Sequence, residues 1–320
     1  MTNRPTFFGE HTTRAEISKV KKRCLVYAHW DPDGVVDPHI IYSLRQYREA
    51  VDHIVFVSTN YEIQNPSLDA LVDRLIVREN IGFDFESWRI ALTQLEITEW
   101  DQLIFTNSSI YGPVWPIQKA LRHSEAYDAG LWGMTISRQH SVHLQSYFMA
   151  MTREFLTSEL GSGLWRGVVP FRAKLAAIEA YELVWMQTCT GAGVQVNAIF
   201  DARHFPSVRL SEQLANVIRW PLRLEQTRRY RRAARDSSSN PTHLHWKTLL
   251  ECGVPFVKVD LFTSNPYGIR LSRVFRWLEG NTVYPTDLIR LHIDRIRRSQ
   301  AAYDLHCSAS KPSPLSEALT

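Results

Sequence analysis

Apolar positions in the first 140 residues follow two alternating rhythms. The runs RCLVYAHW (23–30), HIVFVSTN (53–60), LIVREN (75–80), QLIFTNSS (102–109) and AGLWGMTIS (129–137) are short and mostly apolar, and the first four break off in polar residues. Runs of this length and continuity predict strands buried on both faces. Between them, DPHIIYSLRQYREA (37–50) carries Ile40, Ile41, Leu44 and Tyr47 at helical spacing, and PSLDALVDR (66–74) opens on a proline. FESWRIALTQLE (85–96) and PVWPIQKALRHSE (113–125) complete the set of predicted helices. Strands alternating with helices predict βαβ units, hence an α/β protein with a mostly parallel sheet flanked by helices.

The rhythm changes after residue 140. HLQSYFMAMTREFLTS runs from strand into helix, and as a strand it would put His143, Gln145 and Tyr147 on one face as a polar wall. RAKLAAIEAYELVWMQTCTGAG (172–193) predicts one long helix ended by Gly191 and Gly193. VQVNAIFDAR predicts another strand, and 219–240 is strongly basic before it turns loop-like. TLLECGVPFVKVDLF (248–262) packs back onto the domain, and PTDLIRLHIDRIRRSQAAYD (285–304) predicts a last helix. The composition of the tail, 306–320, predicts disorder.

Polar residues recur where the predicted strands end: His29-Trp30-Asp31, Ser58-Thr59-Asn60, Arg78-Glu79-Asn80 and Asn107-Ser108-Ser109. The carboxyl ends of strands in an open α/β sheet face one crevice, where ligands bind.

Composition narrows the ligand. Across 320 residues the chain is 44% hydrophobic and 22% charged, so a soluble globular domain with a sizeable core is expected. A net charge of +4 suits an acidic ligand such as a nucleotide or an anionic phospholipid surface, and is too small for a dedicated nucleic-acid binder. Cys24, Cys189, Cys252 and Cys307 form no CxxC pair and no zinc spacing, which points to a reduced, cytoplasmic setting. MTNRPTFFGEHTTR contains no apolar signal core, and no apolar run reaches about 18 residues, so no membrane span is expected.

Several stretches carry candidate chemistry. HWDPDGVVD (29–37) contains a D-x-D-G pattern similar to that of haloacid-dehalogenase phosphohydrolases, with Asp31 and Asp33 as nucleophile and acid/base. The downstream acidic pair such enzymes use to hold magnesium is missing, and the competing reading is a loop whose aspartates cap the next helix. In VRENIGFDFESW (77–88), Arg78, Glu79, Asn80 and Asp84 surround Gly82, which permits close backbone approach to a ligand, or closes a structural strand–turn–helix. Glu179 and Glu182 stand at i, i+3 on one helix face, either as an acid/base pair or as solvated surface. Seven arginines lie between Arg219 and Arg235, where they either meet a diphosphate or an anionic membrane, or form a solvated helix face.

Taken in order, VYAHWD…VDPHIIYSL, IVFVSTN, VRENIGFDFESW, LIFTNSSIYGPVWPI, LWGMTISRQHSVHLQSYFMAM, AIEAYELVWMQTCTGAG and HLHWKTLLECGVPFVKVDLFTSNPYGI resemble the rhamnan synthesis protein F family of glycosyltransferases. The resemblance runs from about residue 23 to 270. It implies a GT-A-like, Rossmann-type catalytic domain over 1–240. The nucleotide-sugar half would cover 20–137 and the acceptor half 138–240, with a C-terminal segment, 241–305, packed on both. It also implies a nucleotide-sugar donor, dTDP-L-rhamnose, and a saccharide or lipid-linked glycan acceptor in bacterial surface polysaccharide synthesis, such as lipopolysaccharide. Segment 219–235 would bring the enzyme to the inner face of the membrane.

Residue by residue, the resemblance places Glu182 as the catalytic base of an inverting transfer, with a raised carboxyl pKa suited to that role. His29, Asp31, Arg78, Asn80, Gly82, Asp84, Asn107, Ser108, Ser109 and Lys258 fall on the donor side, Lys258 either meeting the diphosphate or pairing structurally with an acid. His143, Gln145 and Tyr147 shape the sugar or acceptor pocket. Family members read Asn-Asp-Ser where this chain has Asn107-Ser108-Ser109, and that aspartate belongs to the metal-binding motif. Serine is a poor ligand for a hard cation such as magnesium or manganese. No metal ligand is therefore assigned, and three outcomes stay open: transfer without a metal, an impaired enzyme, or a non-catalytic nucleotide-sugar-binding module.

Overall fold

The central strand β1 (Arg23–His29) is buried along its whole length, as a strand flanked on both edges and covered on both faces must be. A computed structural model describes residues 21–61, 63, 65–125, 129–204, 224–235 and 239–309. β1 pairs in parallel with β2 (His53–Ser58) and with β4 (Gln102–Asn107), and β2 pairs in parallel with β3 (Arg74–Val77). The helices between them are α1 (Pro38–Arg48), the short α2 (Pro66–Asp69) and α3 (Phe83–Leu92). α1 begins with Pro38 and buries Ile40, Ile41, Leu44 and Tyr47, the periodic stripe read from the sequence.

Past β4 the order departs from a simple alternation. A short β5 (Ile110–Tyr111) and α4 (Ile117–Glu125) lead to β6 (Leu131–Ser137), β7 (His143–Leu144) and β8 (Phe148–Thr152). β8 inserts between β4 and β6, antiparallel to both. The sheet order is β3-β2-β1-β4-β8-β6-β7, with β9 (Val196–Asp201) parallel to β6. The sheet is mostly parallel with antiparallel insertions and is flanked by helices, as the alternating rhythm of the sequence predicts.

This topology corrects the reading of HLQSYF as one strand. β7 stops at Leu144, the Gln145 amide donates to the Thr135 carbonyl (2.9 Å), and the chain turns at Ser146-Tyr147 so that β8 can enter the sheet. His143, Gln145 and Tyr147 are all buried, but they do not share a strand face.

α5 (Arg153–Thr157) and α6 (Glu159–Arg166) follow β8. The predicted long helix is interrupted: α7 (Lys174–Ala177) passes into a π turn at Ile178–Glu182 before α8 (Leu183–Gly191). Alternate residues of β1, β2 and β4 supply two cores, one per sheet face, with Trp88, Phe105 and Trp165 on one side and Tyr47, Phe56 and Phe148 on the other. A third core joins Tyr111 and Val114 to the C-terminal elements: α9 (Leu224–Arg235), α10 (Pro241–Leu244), α11 (Trp246–Glu251), β10 (Val257–Lys258), α12 (Leu271–Asn281) and α13 (Asp287–Ala309). α13 continues past 306, where the sequence places the start of the tail, and residues 310–320 lie outside the described residues.

Candidate functional site

A cavity of about 360 Å³ opens where the parallel strands end. Its wall includes His29, Asp31, Arg78, Asn80, Asp84, Asn107, Ser108 and Ser109, so most of the residues assigned to the donor side do meet in one place. A wider groove of about 790 Å³ between α6 and α8 is open and mainly apolar, and holds none of them.

A chain of hydrogen bonds runs along the end of β4. The Asn107 amide nitrogen donates to Asp84 (2.8 Å), and Asn107 Oδ1 accepts from the backbone amide (3.1 Å) and hydroxyl (2.5 Å) of Ser109. The Lys258 ammonium donates to Ser109 Oγ (2.9 Å) and lies 4.7 Å from the centre of the Tyr147 ring. Burial pushes the Asp84 carboxyl up, against the pull of Lys174, Asn107, Lys258 and Arg78, and the net direction is upward. Burial pushes the Lys258 ammonium down, only partly offset by the charges of Glu182, Asp260 and Asp84.

Other donor-side residues are engaged within the protein. Arg78 is buried, and its guanidinium donates to Ser87 Oγ (2.9 Å) and to the carbonyls of Glu79 (2.7 Å), Ile81 (2.5 Å) and Phe83 (2.5 Å). It staples the loop between β3 and α3. Gly82, at φ +83°, starts α3, and a Cβ there would sit 2.6 Å from the Glu86 Cβ and 2.9 Å from the Pro170 Cα. Its freedom is used for close packing of backbone. His29 Nδ1 lies 2.9 Å from Ser58 Oγ and Nε2 lies 3.2 Å from the Val35 carbonyl, and burial lowers the ring to about 4, so it is neutral near pH 7. Asp31 Oδ1 accepts from the amides of Asp33 (2.9 Å) and Val35 (3.0 Å), and its other oxygen is held by Arg295. Asn80 is exposed at the rim.

Glu182 lies outside the cavity wall, at the end of the π turn, with its side chain 17% exposed. Ser146 donates to Glu182 Oε2 (2.6 Å), and His143 Nε2 lies 3.5 Å from Oε1. His143 Nδ1 lies 2.9 Å from the Ser141 carbonyl, which fixes the ring against the carboxylate. Burial pushes the Glu182 carboxyl up, but the contacts of His143 and Ser146 and the charges of His143 and Lys258 outweigh it and hold it below the ordinary carboxylate value. The direction is opposite to the raised value expected from sequence, because the sequence does not show the donors that surround the group. Glu179 is exposed. Tyr147 hydrogen-bonds Thr135 through its hydroxyl (2.5 Å), and Gln145 Nε2 donates to Asn240 Oδ1 (3.4 Å) while its Oε1 has no protein partner. Lys258 is the link between the two groups: it bonds Ser109 on the cavity side, and its charge acts on Glu182 on the other.

The residues at the end of β4 do not fit a divalent metal. The Ser108 hydroxyl donates to the Trp30 carbonyl (3.0 Å) and accepts from the Trp30 amide (3.3 Å), and Asn107 turns its amide nitrogen to Asp84. Neither supplies the carboxylate oxygens that a hard cation takes as ligands. Sequence reasoning missed Lys174 and Asp260 in the wall, and Ser146 beside Glu182. Each is a common residue in an unremarkable stretch: Lys174 opens α7, Asp260 follows β10 and Ser146 lies in the β7–β8 turn.

The model of the family described as rhamnan synthesis protein F matches residues 54–221, from β2 through β9 and beyond. The chain belongs to the rhamnan synthesis protein F family. The virulence protein VirA of Vibrio anguillarum is 31% identical over 206 residues, which is 61% of this chain and 64% of that relative. Among solved structures, a mannosyltransferase from Pyrobaculum calidifontis, in complex with GDP-Man and Mn2+, covers 90% of this chain and 81% of its own at 14% identity and a TM-score of 0.41. Glucosyl-3-phosphoglycerate synthase from Mycobacterium tuberculosis, in complex with Mn2+, UDP and phosphoglyceric acid, is 15% identical over 57% of this chain and 68% of its own, with a TM-score of 0.39.

Proposed function

We propose that this family member is an inverting glycosyltransferase that moves a sugar from a nucleotide-sugar donor, dTDP-L-rhamnose, to a saccharide acceptor in bacterial surface polysaccharide synthesis. Family membership supports the general activity. The observation that carries the mechanism is the pairing of an ionised, positioned carboxylate, Glu182, with the Lys258–Ser109 contact that links it to the cavity.

In this reading Glu182 accepts the proton of an acceptor hydroxyl as that oxygen attacks the anomeric carbon. The bond from that carbon to the diphosphate breaks, and a β-linked donor gives an α-glycoside. His143 and Ser146 aim the carboxylate. Lys258, with Lys174 at the start of α7, meets the charge that grows on the departing diphosphate. Asn107 and Ser109 hold the diphosphate, and Asp84 and Asn80 the nucleoside. Arg78 and Gly82 act through the loop they shape rather than by touching donor. Residues 20–137 form the donor half and 138–240 the acceptor half, with 241–305 contributing Lys258.

Glu182→Gln keeps the shape and removes the base, so transfer should fall by roughly 10²–10⁴-fold while dTDP affinity stays within about twofold. Full activity in Glu182→Gln would remove the base assignment. The phosphohydrolase alternative loses ground because Asp31 Oδ1 caps the backbone amides of Asp33 and Val35 and Oδ2 is paired with Arg295, as in the structural reading of that loop.

A further inference from the structure

Another part of the cavity wall carries a cluster that plays no part in the transfer described above. Asp37 is the residue before α1 and makes no side-chain cap, His39 is the second residue of that helix, and His292 comes from α13. Their exposures are 3%, 1% and 6%, and one donor atom from each lies within 4.8 Å of the other two. His39 is the telling residue: its ring packs against His292 (4.3 Å between centres) and Tyr111 (5.0 Å), yet neither ring nitrogen has a hydrogen-bond partner. A buried polar group normally finds one. His292 is oriented in the manner of a ligand. Its Nδ1 lies 2.6 Å from the Tyr111 hydroxyl, which turns Nε2 toward Asp37, 3.6 Å away.

Charge points the same way. Asp31, Asp33 and Asp37 all contact Arg295, so three carboxylates face one guanidinium and two negative charges remain. Arg295 approaches Asp37 at Oδ1 (3.1 Å) and Oδ2 (2.6 Å), one donor per oxygen, and each carboxylate oxygen can accept a second partner.

We propose that Asp37, His39 and His292 form a binding site for one divalent transition-metal ion of the zinc type. Two imidazoles and one carboxylate suit such an ion, whereas magnesium and calcium favour all-oxygen sets. Metal–ligand distances of about 2.0–2.2 Å require the three side chains to draw in slightly, by rotation about their own torsions. The Tyr111 hydroxyl is the outer partner that fixes the His292 tautomer. Three protein ligands leave a position open toward the cavity, for water or an oxyanion. The site stands on the β1–α1 side of the cavity, apart from the end of β4, and does not depend on the transferase reading.

The test is a Co2+ titration of the full chain after removal of metals with EDTA, followed by visible absorption. One equivalent should bind with d–d bands and be displaced by Zn2+. His39→Ala, checked for folding by circular dichroism, should weaken binding by more than tenfold. Tyr111→Phe, which removes one hydroxyl, should weaken it by roughly tenfold or more, and it decides the matter if His39→Ala does not fold. Absence of stoichiometric binding, binding unchanged in both variants, or a near-ultraviolet thiolate charge-transfer band placing the ion on a cysteine would each overturn the proposal.

Discussion

Glu182 shows how one carboxylate is set by its neighbours. Burial alone would favour the neutral acid, and the contacts of His143 and Ser146 with the charge of Lys258 reverse that. With the folded-state value below the ordinary 4.5, the ionised form that the base requires is present at neutral pH and is lost only as pH falls through that lowered value. The acid limb that Glu182 sets on the transfer rate should therefore lie below the ordinary carboxylate value. The same group stabilises the fold above its unfolded value and loses that contribution on the way down. A pH–rate profile checks this, and an acid limb near pH 6–7 assigned to Glu182 would contradict it. At this scale the sequence was partly legible. Asn107, Ser109, Asp84 and Lys258 were named from strand ends and resemblance, and they form one hydrogen-bonded chain. What the residues could not disclose is how their hydrogen-bonding capacity is used. An arginine at a strand end looks like a diphosphate ligand until four acceptors from its own surroundings are seen around it.

Among elements, the strands were legible because buried parallel strands are continuous apolar runs, and their polar ends mark the crevice. The exceptions have a common cause. The turn at Ser146-Tyr147 and the π turn at Ile178–Glu182 both answer to tertiary placement, the entry of β8 between β4 and β6 and the approach of Glu182 to His143, which no local periodicity encodes. A π turn inside a helix is often found at functional sites. The loop between β3 and α3 is the element most exposed to a single change. Gly82→Ala adds a Cβ at positive φ against Glu86 and the Pro170 backbone, and should cost about 1–3 kcal/mol. Urea unfolding monitored by tryptophan fluorescence measures this, and an unchanged midpoint would mean that the loop relaxes freely.

For the molecule as a whole, the C-terminal elements complete the cavity as well as cover the sheet. Lys258 comes from β10, and Arg295 of α13 reaches back to the three aspartates after β1. Such long-range closure is invisible to pattern reading, since Asp37 and His292 sit at opposite ends of the chain. No helix among the described residues is long and apolar enough to cross a membrane. α9 offers another mode of contact: Tyr230, Ala233 and Ala234 are buried against the body while Arg228, Arg231 and Arg232 are exposed, and residues 219–223 of the basic segment lie outside the described residues. If this face meets an anionic membrane, at about 1 kcal/mol per arginine, changing all three to Ser should reduce binding to phosphatidylglycerol vesicles by about a hundredfold. Cosedimentation reads it, and unchanged binding would remove the membrane role.

The central claim is sugar transfer with inversion. Its most direct test is to follow dTDP-β-L-rhamnose and a simple rhamnoside acceptor with the purified full chain by NMR. The expected result is release of dTDP matched by an α-linked disaccharide, slowed by roughly 10²–10⁴-fold with Glu182→Gln. A β-linked product, or no dTDP released from a donor shown to bind, would contradict it.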